Sequence, residues 1–304
     1  MNAKTQSRPL SKIIGEMSVI ASVHASTPGM TRLDKQASLK SDRDHGAKEG
    51  IGKTSVTRMP GAEAPMEEIK ALDRQGRKLL MSYTTQWGLD RRLLPNVYIG
   101  EFSGKFEDLR RVRDVLVKQF LMDAKLYLAQ AKTNLGSYAV QPPTMDELIN
   151  AFDFGFDLSP VPDVDAYSTA DKALEQAMKA RFDDDVAASF HNAQRDLMLR
   201  LAEPLENLID RMKEYDRREE RKANGEDVGK TGTFKKSVVT NITEMAKLVR
   251  HFNFTNEPKI EAIAEKLEVF NQIDHDTLTA YPHVRKAVAE RAAEIRKGLG
   301  AWVS

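Results

Sequence analysis

Cysteine is absent from this 304-residue chain, which rules out disulfides, thiolate nucleophiles and cysteine-held zinc or iron–sulfur centres, and points to a reducing compartment. Net charge is nearly absent as well. The 46 lysines and arginines face 45 aspartates and glutamates, so no overall field draws the protein toward nucleic acid or anionic lipid, and any such attraction must be local. Aromatics are sparse at 7%, a balance expected of long solvent-facing helices with one buried stripe and not of a strand-rich fold. Long hydrophobic runs are missing too: charges or glycines interrupt every apolar stretch short of the roughly eighteen residues that a membrane span needs. No membrane association is expected, and the cytoplasm is the expected location. Lys4, Arg8 and Lys12 precede Ile13–Ala21 in a loosely signal-like order. Glu16 cuts that apolar region too short for translocation, so it reads as a sticky segment of a tail.

What the chain does have is a 41% apolar share, enough for a genuine core. Residues 1–66 are rich in Ser, Thr, Gly and Lys, with Pro28-Gly29, His45-Gly46, Gly50, Gly52 and Pro60-Gly61 as breakers, and read as a disordered or extended N-terminal arm. Residues 67–304 read as a helical domain. Apolar residues spaced three and four apart predict long helices over about 103–135 and 169–220, and shorter ones over about 234–250, 256–273 and 282–298. Pro204 lies inside the longest helix and is expected to bend it without ending it, because the apolar stripe continues in phase on both sides. Over 152–158, aromatic and polar residues alternate with period two. This predicts a strand with Phe152, Phe154, Phe156 and Leu158 on its buried side. Its partner is expected near Tyr98–Phe102 or Ser137–Val140. The fold class is therefore mainly α: a long antiparallel helical hairpin or bundle with a small two- or three-stranded β element and a disordered N-terminal tail.

Catalytic chemistry finds no seat in this pattern. Ala47–Thr54 and Gly225–Thr231 mimic a phosphate-binding loop, but neither follows a strand, and the motif works only between a buried strand and a helix. Asp183-Asp184-Asp185 would fan out about 100° per residue on a helix and cannot converge on one ion. No histidine pair has metal-ligand spacing with a glutamate, and no Gly-x-Ser-x-Gly elbow occurs. No catalytic, cofactor or metal residue is expected, and the protein is read as a non-enzyme. Basic pairs at Arg91-Arg92, Arg110-Arg111, Arg217-Arg218 and Lys235-Lys236 are the candidates for nucleic-acid or partner contact. Acids within a turn of them favour a salt-bridged helix surface.

The segments Leu94-Pro95 with Tyr98, Phe154–Pro162, Arg200-Leu201 through Leu205 and Met212, Phe234–Ile242 and Phe254–Pro258 resemble an uncharacterised bacteriophage-encoded helical protein family, a domain of unknown function. The likeness runs from about Glu67 to Phe270. Where similar members carry arginine–aspartate after the phenylalanine, this chain departs with Lys235-Lys236. Such proteins are often encoded near AAA+ ATPases of the MoxR or CobS type. The resemblance thus implies a phage protein in the host cytoplasm, an adaptor or partner of such an ATPase. The elongated apolar stripe with no catalytic constellation predicts an interaction or assembly protein that self-associates as a homo-oligomer through its long helices. The alternative is a nucleic-acid-associated factor in phage DNA replication or recombination.

Overall fold

The computed structural model describes residues 9–88, 91–163, 168–226, 237–273 and 275–303. The chain is mainly helical with a small antiparallel sheet, as the sequence predicts. It divides into two compact units, one of Met1–Ala21, Met81–Ile99 and Leu158–Ser304, the other of Ser22–Leu80 and Gly100–Asp157.

The larger unit is organised by one helix. Its N-cap Asp171 accepts the amides of Ala173 and Leu174 at 2.9 and 3.2 Å, satisfying donors that the first turn leaves without partners. Naming elements in chain order, this is α6, Lys172–Ala223, 52 residues and about 78 Å long at 1.5 Å per residue. It runs unbroken through Pro204 and closes with Arg221 and Lys222 in its last turn, where cations suit the carbonyl end. The stripe from Val186 to Met212 is buried against α7 (Ser237–His251) and α10 (Pro282–Gly298), with α1 (Leu10–Met17) alongside. α8 (Pro258–Glu268), extended by a 3-10 turn at Val269–Gln272, and α9 (His275–Ala280) fill in behind α7 and α10. Asn256, two residues before α8, takes a left-handed φ of 52°, which asparagine tolerates. The Glu257 amide is capped from one turn back by the Asn253 side chain at 2.7 Å.

A four-stranded sheet has the order β4-β5-β1-β6, with β1 at Ser18–Ser26, β4 at Thr85–Trp87, β5 at Arg91–Pro95 and β6 at Asp153–Pro160. β5 pairs antiparallel with both neighbours, Leu93 opposite Ile20 of β1 and Thr85 of β4. Ile20, Trp87 and Leu93 enter the same core as Ile14 and the α6 stripe. This corrects three expectations. The sheet has four strands where two or three were expected. The partner of the predicted strand is β1, not 98–102 or 137–140. Residues 9–66 also form elements, where a disordered arm was expected: besides α1 and β1 they hold β2 (Thr31–Leu33), α2 (Lys35–Asp44) and β3 (Ser55–Thr57). The breakers there end short elements and make turns; Gly46, Gly50 and Gly61 take φ of 62°, 91° and 92°, the region that only glycine enters freely.

The second unit is built on α3 (Glu63–Tyr83) and α4 (Ile99–Asn134), with α5 (Met145–Ala151), α2 and the β2–β3 pair. One part of its core gathers Met59, Met66, Ile69, Phe120, Ala124 and Leu148. The other is an aromatic layer. Phe154 stacks on Phe106 with centroids 4.6 Å apart, Phe156 meets Phe102 and Phe106 edge-on at 5.2 and 5.1 Å, and Phe152 meets Phe120 at 5.6 Å. Gly76 of α3 admits the stack, since a Cβ there would lie 2.7 Å from the Phe154 ring. The predicted alternation holds for Phe152, Phe154 and Phe156 and fails at Leu158, which is exposed. The α4 rings that cover this face, Phe120, Phe106 and Phe102, are already taken by the three phenylalanines.

Candidate functional site

The polar groups that sequence could not bring together fall into a few clusters, and in most of them the groups answer one another. In the second unit, the face of β6 opposite the phenylalanines carries Asp153, Gly155 and Asp157. His24 of β1 lies over Gly155, its Nδ1 3.2 Å from Asp157 and its Nε2 3.6 Å from Asp153. A Cβ on residue 155 would come within 2.4 Å of the imidazole, so glycine is what lets the ring sit between the two acids. Both aspartates are well exposed, and water shares their charge. The pattern Asp-x-Gly-x-Asp was legible in the sequence; that a histidine from the supposed tail would sit on it was not.

The phosphate-loop mimic Ala47–Thr54 connects α2 to β3, helix to strand, the reverse of the order that chemistry needs. Its amides are occupied from within: Gly50 and Gly52 N–H groups donate to the two oxygens of Asp42, each at 2.7 Å. Asp34 caps α2 through Ala37 at 2.9 Å and accepts the Ala139 amide at 2.7 Å. The Ala37 bond, with help from the Ala139 amide, holds its carboxyl below the usual range. The second mimic, at 225–231, lies mostly outside the described residues.

In the larger unit, Arg92 and Arg200 share Asp196. Arg92 donates to Thr84 Oγ1 at 2.6 Å and lies 3.7 Å from Asp196. Arg200 donates to the Thr84 carbonyl at 2.7 Å and to that of Met81, covering carbonyls at the end of α3, and Thr85 and Gln86 complete the carboxylate's bonds. Burial, and then the Arg200 cation, pull Arg92 below its ordinary pKa against the effect of Asp196. One of the predicted contact residues is thus an internal tie. His251, edge-on to Tyr98 at 4.9 Å, is lowered by burial and then by Arg250. A histidine lowered in the fold opposes protonation, so the stability it confers is present above its unfolded value near 6.5 and is lost as pH falls below that value. Urea midpoints measured from pH 8 to pH 5 should fall less for His251→Gln than for the unaltered chain.

The other predicted contact residues sit on separate elements. Arg91 is exposed on β5. Arg110 and Arg111 pair with Glu107 and Asp108 one turn back on α4, and Arg217 and Arg218 both pair with Glu214 on α6. Lys235 and Lys236 lie outside the described residues. Asp183, Asp184 and Asp185 are exposed on α6. Among the described residues no group of three or more metal-ligating side chains converges, and no helix is long and apolar enough to cross a membrane.

Among the described residues, α4 carries a surface without an internal answer, and sequence reasoning passed it over. α4 buries Phe102, Phe106, Arg113, Phe120, Ala124 and Ala131 on its inner side. On its outer side it shows water Val112, Val115, Met122 and Leu126, exposed at 54%, 64%, 68% and 58%. Isolated apolar residues on a surface are ordinary, but these four lie in a file along one helix. The signal was present as a second apolar series offset from the stripe of Phe106, Phe120 and Ala124, and the stronger series masked it. Compared with protein families, with curated proteins and with solved structures, the chain matches none.

Proposed function

We propose that this chain is a non-enzymatic interaction protein that self-associates through a long helix. The observation that carries the reading is the outward apolar file on α4, four large side chains in water on a helix whose other side is already packed. The polar clusters support it from the other direction, because Asp42, Asp196 and the arginines around it are engaged with their own neighbours. The resemblance to a phage-encoded helical family adds a setting, assembly beside a MoxR- or CobS-type AAA+ ATPase. The basic pairs offer nucleic acid less, since Arg110, Arg111, Arg217 and Arg218 each have a carboxylate at hand.

Sedimentation equilibrium tests the core of the proposal. The expected result is a mass that rises with concentration from the 34.2 kDa of one chain toward a multiple of it. A constant monomer mass up to several hundred micromolar would remove the basis for self-association. Co-elution with a purified ATPase encoded beside its gene tests the setting separately.

A further inference from the structure

We infer that the outer face of α4 is one strand of a parallel, in-register, two-stranded coiled coil made with a second copy of this chain. This rests on the reading that the chain self-associates, and adds which face, which partner and which direction.

The spacing comes first. Val112, Val115, Gln119, Met122, Leu126 and Ala129 are all exposed and follow one another at intervals of three and four residues. That is the alternation of the two seam positions, a and d, of a heptad repeat. Val112, Gln119 and Leu126 take the a positions; Val115, Met122 and Ala129 take the d positions. Three heptads would be marginal for an isolated peptide. Here the inner side of α4 is held by Phe106, Phe120 and Ala124 in the core, so the helix exists before the second copy arrives, and association need not supply the ordering of its backbone.

Charge then selects the orientation. The residues flanking the seam on the g side are Arg111, Lys118 and Lys125, all exposed and all basic. On the e side they are Leu116, Asp123 and Gln130. In an antiparallel pair the g residues of one helix face the g residues of the other, which here sets a basic row against a basic row. In a parallel pair each g residue meets the e residue five positions further along the other helix. That sets Lys118 against Asp123 of the second copy, twice by symmetry, and Lys125 against Gln130. Among the described residues Lys118 and Lys125 have no carboxylate partner of their own, unlike Arg111, which holds Asp108. The Gln119 side chain donates to Asp123 Oδ2 at 2.8 Å, which keeps that carboxylate at the edge of the seam. A lone polar residue at an a layer also favours one register over its slips, because only the aligned pair lets both side chains answer each other.

The absence of cysteine makes the direction testable by single replacements in the full chain. Val112→Cys alone and Leu126→Cys alone are each expected to give disulfide-linked dimers under mild oxidation, since in parallel register each residue faces itself. In an antiparallel pair a positions face d positions, so linking of Val112→Cys only when it is mixed with Ala129→Cys would mean antiparallel pairing and would overturn the proposal. Met122→Glu is expected to raise the dimer dissociation constant at least tenfold and, at concentrations where both proteins are monomeric, to leave the thermal midpoint unchanged, because the side chain is outside the core. Lys118→Glu is expected to weaken pairing, and Lys118→Glu with Asp123→Lys to restore it. If the unaltered chain is monomeric, this inference and the proposed function fall together. If it dimerises undisturbed by Met122→Glu, self-association stands and the α4 seam is wrong.

Discussion

Asp73→Ala should cost the protein about 3–5 kcal/mol of unfolding free energy, the usual result of removing one partner from a buried ion pair. Arg113 is among the largest fully buried side chains of the structure. Its Nε donates to Asp73 Oδ1 at 2.6 Å, an Nη donates to the Ser26 carbonyl at 2.9 Å, and its guanidinium lies 5.0 Å from the Phe154 ring centre. Without Asp73 the cation keeps one backbone acceptor and an aromatic face, and has lost its ion-pair partner. Its own desolvation then falls on the folded state. Urea titration by circular dichroism measures the loss. The double variant Asp73→Leu with Arg113→Met should recover most of it, since apolar residues of similar volume do as well as a buried pair or better. A single variant as stable as the parent would mean that Arg113 swings out to water, and that the pair does not hold this core.

Phe154→Ala should be comparably damaging, by about 3–5 kcal/mol from lost transfer energy and the cavity left behind. The ring is stacked on Phe106, fills the space that Gly76 leaves and carries the Arg113 guanidinium, so three neighbours lose their contact at once. Asp153→Ala and Asp157→Ala, on the solvent face with His24, should stay within about 0.5 kcal/mol, and Leu158→Ala should join them because Leu158 is exposed. A costly aspartate variant together with a mild Phe154→Ala would invert the face assignment and turn attention to His24 and its two carboxylates.

These residues also show how far sequence goes. The period-two run at 152–158 and the stripes of α4 and α6 were legible because each is a local repeat that encodes its own burial, and the caps and last turns follow from neighbours within a few residues. That the helix would continue past Pro204 was legible for the same reason: the stripe kept phase on both sides of it. The N-terminal elements were not legible. β1, at Ser18–Ser26, is interrupted by His24 and embedded among breakers. It is a strand because β5 and β6 lie on either side of it, a fact that no window of ten residues contains. The candidate surface was half legible: its residues sit in plain view at heptad spacing, but which of two apolar series on one helix is the inner one depends on Arg113, a charged residue that packs inside. A hydropathy pattern assigns such a residue to solvent.

The sheet order has a consequence for synthesis. β1 leaves the ribosome well before one of its two neighbours, β6, which begins only at Asp153. At about 5–20 residues per second, translation leaves on the order of ten seconds between them. For that interval one edge of β1 has its amides and carbonyls turned outward with no strand to meet them, the arrangement that invites pairing with a neighbouring nascent chain. The chain must also close a loop of more than a hundred residues before the sheet is complete, an entropic cost that slows folding without weakening the finished fold. Slow elongation or crowded polysomes should therefore harm the yield of this protein more than its stability, once folded, would suggest.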